Sequence, residues 1–166
     1  FYILYGDDII LSETPVCTQL ADAYEKHGLP VCGVKPVPWE LVYKYCSLKA
    51  EKRDDDSYLV TDMIEKPKPD EVYTNLSILG RVLMTPEIFD ILEVTPPGAG
   101  GEIQLTDAMG ILARRGGMTA VDFEGTRFDL GAKLGFLKAN VTAAVNHPEV
   151  GEEFREFLRE FAKKLN

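Results

Sequence analysis

The chain has 166 residues, of which 45% are hydrophobic and 27% charged, the proportions of one ordinary soluble globular domain rather than of two. Its 18 Lys+Arg stand against 27 Asp+Glu, a net charge of -9, which excludes a nucleic-acid track, because phosphate binding draws on clustered basic side chains. No apolar run approaches the roughly 20 residues that span a bilayer, so no membrane partner is expected.

The opening FYILYGDDII reads as a buried strand that delivers two carboxylates, Asp7 and Asp8, to the edge of a sheet. After it, Thr14 as N-cap and Pro15 at the first helical position predict a helix that His27 and Gly28 close. LPVCGVKPV is rich in β-formers. Strand, helix and strand in succession predict a βαβ unit, with the first strand parallel to its neighbour.

The charge run Glu51 to Asp56 reads as an exposed hairpin loop. Tyr58 to Ile64 alternate as a strand does, and Glu65-Lys66-Pro67 ends it, since proline cannot continue a ladder. A strand holding Gly80 follows, then a short helix opened by Thr85-Pro86. TPPGAGGEIQLTDAMGILARRGG combines a Pro/Gly loop with an amphipathic helix stopped by Gly116-Gly117. MTAVDF is a strand, TRFDLGAKLG a turn into a helix that reaches Asn146, and residues 149–166 a terminal amphipathic helix. Alternating strands and helices predict an α/β fold with a mixed, mainly parallel sheet flanked by helices. Cys17, Cys32 and Cys46 are odd in number and widely spaced, so they read as core residues in a reducing cytoplasm, not as a disulfide framework or zinc site.

Ligands of open α/β sheets bind at strand ends, where Asp7 is expected. Side chains alternate along a strand, so one of Asp7 and Asp8 is a candidate metal ligand and the other an anchor for the loop. Asp129 lies after a short strand and before a helix, with Lys133 in the first helical turn. An Asp in that place commonly caps the helix. Mg²⁺ needs only one or two protein carboxylates, and Asp7 with Asp129 would suffice.

The order of these pieces carries a resemblance. GDD at a strand end, EKP, N-L-x-I-x-G-R, PPGAGGEIQLTDA and FDLGAKLG resemble the bacterial UTP:glucose-1-phosphate uridylyltransferases, from Tyr5 to about Phe161. The resemblance implies the nucleotide-diphospho-sugar transferase (Rossmann-like) fold, with residues 1–166 as one partial nucleotidyltransferase domain. It implies an enzyme that forms UDP-glucose and pyrophosphate from UTP and glucose 1-phosphate with Mg²⁺. Asp7 and Asp129 would be the metal ligands. Glu65 would accept hydrogen bonds from the hexose, Lys66 would pair with the sugar phosphate, Asn75 and Gly80 would lie beside the sugar, and Lys133 beside the phosphates. Glu102 and Asp107 would order the loop or a subunit interface.

Two departures qualify these expectations. The family's G-x-G-T-R-x-x-P-type loop, which cradles the nucleotide phosphates, does not occur in the chain, so this is expected to be part of a larger domain that does not turn over UTP alone. Tyr45-Cys46 stands where the family commonly has Tyr-Gly, which is expected to narrow the hexose pocket. A thymidylyl- or guanylyltransferase is the nearest alternative, and a noncatalytic remnant that binds a sugar nucleotide or assembles with a partner is the next. A UDP-glucose-using glycosyltransferase fits less well, because YGDD lacks the spacer of D-x-D. The stripe Phe154, Phe157, Leu158, Phe161 packs either on the parent domain or on a second copy, the latter making a homo-oligomer.

Overall fold

The computed structural model describes residues 1–165, which form two compact units. The first comprises Phe1–Tyr5 and Leu11–Thr126, and the second Gly6–Ile10 and the chain from Arg127 on.

The first unit is built on a six-stranded sheet. Its strands are β1 (Tyr2–Leu4), β3 (Val31–Pro36), β4 (Cys46–Lys52), β5 (Tyr58–Glu65), β6 (Leu76–Leu83) and β7 (Met118–Asp122). Spatially the order is β1-β6-β3-β7-β5-β4. Only β3 and β7 pair in parallel, while β1/β6, β6/β3, β7/β5 and β5/β4 are antiparallel. The sheet is therefore mixed, as expected, but mainly antiparallel.

The expected parallel neighbour of β1 is likewise displaced. Two successive antiparallel pairings give β1 and β3 the same direction, with β6 inserted between them. A crossover through a whole helix spans more than one strand width and leaves room for that insertion. β1 is also an edge strand with Tyr2 and Leu4 exposed, not a buried one.

Helix α1 (Val16–His27) begins one residue later than Thr14 would place it. Pro15 is its cap, and Thr14 instead lends its carbonyl to the Gln19 amide. Gly28 closes the helix in the left-handed region, as expected. Helices α2 (Glu87–Val94) and α3 (Leu105–Gly116) follow. Ile88 and Ile91 of α2 join Met109, Leu112 and Ala113 of α3 in a core with Cys32, Leu48, Val60 and Val82 of the sheet. Burial pushes the Cys32 thiol well up and that of Cys46 to about 12, so both are unreactive core residues. The β4/β5 hairpin loop spans residues 53–57, so Glu51 and Lys52, expected in the loop, continue β4 instead, paired with Leu59 and Tyr58.

The second unit contains most of a two-stranded ribbon, β2 (Asp8–Leu11) with β8 (Thr126–Asp129), and helices α4 (Lys133–Val145) and α5 (Gly151–Ala162). Along α5 the rings of Phe154, Phe157 and Phe161 stack in succession, at centroid separations of 5.9 and 5.8 Å. That is the i, i+3, i+4 stripe the sequence predicts.

Candidate functional site

In the second unit Asp7 occupies a turn between β1 and β2, so it does not end a buried parallel strand. Its carbonyl accepts the Leu130 N–H at 2.8 Å, which ties this turn to the residue after Asp129. A methyl group built on Gly131 would lie 3.1 Å from Asp129 Oδ1 and 3.5 Å from Asp7 Oδ2. Two carboxylates 122 positions apart in sequence thus face one point, which only the absence of a side chain at Gly131 leaves free.

Asp129 is held there from several sides. Its Oδ1 accepts the N–H groups of Gly131 at 2.9 Å and Ala132 at 3.3 Å. It therefore closes the turn before α4 and leaves the helix cap itself to Ala132. Gly135, in the first turn of α4, presses its backbone against the Asp129 carbonyl, where an added Cβ would lie 1.9 Å from the oxygen. Close approach to backbone thus requires the second glycine of FDLGAKLG, whereas at the first a side chain would crowd the two carboxylates. Lys133, also expected at the site, is the first residue of α4 and is exposed.

Asp8 is the anchor of the Asp7-Asp8 step. Only 6% of its side chain is exposed, and it pairs with Nε of Arg127, itself 18% exposed. Arg127 also approaches Asp129 Oδ2 with Nη2, at 3.9 Å. None of the sequence motifs marks Arg127. The signal was its spacing, because residues two apart on a strand share a face, and Arg127 and Asp129 both lie in β8.

The first unit holds the other expected residues. Glu65 ends β5 opposite Cys46 of β4, and Lys66 donates its N–H to the Tyr45 carbonyl at 2.8 Å. That bond accompanies a φ of +47° at Lys66, a left-handed conformation that costs an L-residue about 1–2 kcal/mol. Such strain collects at functional positions. The side chain of Cys46, expected to narrow a pocket, goes into the core, where Sγ accepts the Ile78 N–H at 3.2 Å.

Asn75 donates Nδ2 to the Val37 carbonyl at 2.9 Å and accepts the Val37 N–H on its own carbonyl at 2.9 Å. Gly80 sits in an irregular stretch of the β3/β6 ladder with φ +82°, and its carbonyl accepts from Tyr5 N–H and Arg81. In the PPGAGGEIQLTDA loop, Gly98 donates to the Glu102 carbonyl and lies against the Asp107 carboxylate. Asp107 thus brings its carboxylate against the loop, while Glu102 contributes only its main-chain carbonyl, which any residue would supply.

Among curated proteins, the UTP–glucose-1-phosphate uridylyltransferase of Staphylococcus epidermidis is 42% identical over 160 residues, 96% of this chain and 56% of its own length. Over nearly its whole length the chain is similar to UTP–glucose-1-phosphate uridylyltransferases. It spans little more than half the length of the curated relatives it matches. No family model matches it. A UDP-glucose pyrophosphorylase solved in complex with UDP-glucose superposes with a TM-score of 0.79 at 35% identity, over 84% of this chain and 54% of the other. The Acinetobacter baumannii UDP-glucose pyrophosphorylase gives 0.84 at 30% identity, over 97% and 56%. The fold is that of these nucleotidyltransferases, and the mixed sheet with its flanking helices is theirs.

Proposed function

We propose that this chain carries the sugar-phosphate and metal-binding residues of an enzyme that makes UDP-glucose and pyrophosphate from UTP and glucose 1-phosphate. The observation that carries this reading is the convergence of Asp7 and Asp129 on Gly131. The names of the relatives and of the superposing structures support it.

In the proposed reaction a phosphate oxygen of glucose 1-phosphate attacks the α-phosphorus of UTP. The bond from that phosphorus to the β-phosphate bridging oxygen breaks, and pyrophosphate leaves with the electron pair. The nucleophile is already an anion, so no general base is needed. The barrier is repulsion between anions, and positioning and electrostatics lower it.

Asp7 and Asp129 would hold Mg²⁺, an oxygen-only donor set that suits this hard cation. When bound, the ion would neutralise and align the triphosphate. Lys66 would present its ammonium to the sugar phosphate and Lys133 to the nucleotide phosphates. Glu65 would accept the hexose hydroxyls, and Asn75 and Gly80 would line the sugar. We further take residues 1–166 as part of one nucleotidyltransferase domain, placed in the cytoplasm and assembled as a homo-oligomer. Among the described residues no helix is long and apolar enough to cross a membrane.

Calorimetric titration of the chain with UDP-glucose and Mg²⁺ tests the proposal. Metal-dependent binding that disappears in Asp7→Ala and in Lys66→Ala is the expected result. A folded wild-type chain that releases no heat refutes it.

A further inference from the structure

We propose that Arg127 is a positioning residue for the metal site: anchored by Asp8, its guanidinium sets the orientation of the Asp129 carboxylate. The inference rests on the metal-binding reading above.

Three observations within the second unit support it. Asp8 and Arg127 form an ion pair whose side chains are 6% and 18% exposed, and a planar guanidinium bonded through Nε to a buried carboxylate has little freedom to turn. A second nitrogen of the same group, Nη2, stands 3.9 Å from Asp129 Oδ2. Finally, the other oxygen of Asp129 is fixed by the Gly131 and Ala132 amides and is the one that faces the free point beside Gly131. One oxygen is therefore held by backbone hydrogen bonds, and the other lies within ion-pair distance of a guanidinium that is itself anchored, which biases the plane of the carboxylate from its second end. Outer groups that orient a ligand in this way commonly govern metal affinity by 10–100-fold.

Charge and geometry make opposite predictions here, which allows them to be separated. A guanidinium beside a carboxylate repels an incoming dication, so charge alone predicts tighter metal binding when Arg127 is removed. Orientation predicts weaker binding. Arg127→Lys keeps the charge and a partner for Asp8 but lacks the fork that reaches both carboxylates.

The test uses Mn²⁺ as probe, read by electron paramagnetic resonance, on wild type, Arg127→Lys, the neutral pair Asp8→Asn/Arg127→Gln, and Asp129→Asn. Amide hydrogen exchange at Gly131 and Ala132 is measured alongside without metal. The expected result is a loss of Mn²⁺ affinity of about tenfold or more in Arg127→Lys, with faster exchange at both amides and a melting curve like that of wild type. The neutral pair keeps Asp8 from being buried unpaired and is expected to lose affinity as well. Affinity and exchange both unchanged in Arg127→Lys overturn the inference, as does tighter binding in the neutral pair. Wild type that binds no Mn²⁺ while Arg127→Lys still accelerates exchange refutes the metal reading and leaves the orientation of Asp129 by Arg127 established.

Discussion

Replacing Gly135 by alanine tests whether the close packing under Asp129 is what holds the carboxylate pair. In an open helical position this change stabilises by about 0.5–1 kcal/mol, because glycine loses more backbone entropy on folding. Here the new Cβ would lie 1.9 Å from the Asp129 carbonyl oxygen and 3.0 Å from its carbonyl carbon. Ordinary contact begins near 3.4 Å, so the backbone of Asp129 or of α4 has to move by roughly 1.5 Å, several times what a packed interior absorbs cheaply. Overpacking of this kind costs about 1–3 kcal/mol. Because the displaced residue carries a carboxylate of the pair, the same shift also separates Asp129 from Asp7. Gly116, at the end of α3 with open space around it, provides the control. Urea denaturation should show Gly135→Ala about 1–3 kcal/mol less stable than wild type and Gly116→Ala equal or slightly more stable. Mn²⁺ titration should show weakened binding in the first variant only. A Gly135→Ala protein as stable as wild type and with full metal affinity refutes the reasoning.

Two further outcomes are expected. Lys66→Gly relieves the left-handed strain at φ +47°; after allowing for the freer unfolded chain it should gain about 0.5–1 kcal/mol in urea denaturation, while calorimetry detects no binding of glucose 1-phosphate. At the β4/β5 loop, Lys26, with Ser57 and His27, holds the Asp55 carboxyl well below the usual carboxylate range. A depressed folded-state value stabilises above the unfolded value, near about 4, and that contribution is lost as pH falls through the folded value. Asp55→Asn should therefore be less stable than wild type at pH 7, and the gap should close as denaturation is repeated at pH values below about 4; a gap that persists or widens in acid contradicts the assignment.

What could be decided from sequence was local or carried by the order of motifs. Gly28 after His27 ends a helix because only a residue without a Cβ enters the left-handed region cheaply, and it does so in the fold. Pro67 ends β5 because it has no N–H to donate. The spacing of phenylalanines on α5 needs only the helical period to predict the stacked stripe. Asp7 and Asp129 could be paired before any coordinates because their motifs recur in a known order.

Long-range pairing decided the remainder. The insertion of β6 between β1 and β3 leaves no trace in either strand, since a strand's alternation reports which face is buried and not which neighbour runs beside it. The same holds for Lys66, whose positive φ accompanies a hydrogen bond to Tyr45, 21 residues away in sequence. Arg127 read as one arginine among many, because its partner Asp8 lies 119 positions distant. Only when β2 and β8 pair does a buried carboxylate find that guanidinium, and a charge that has left water must find its partner within the fold.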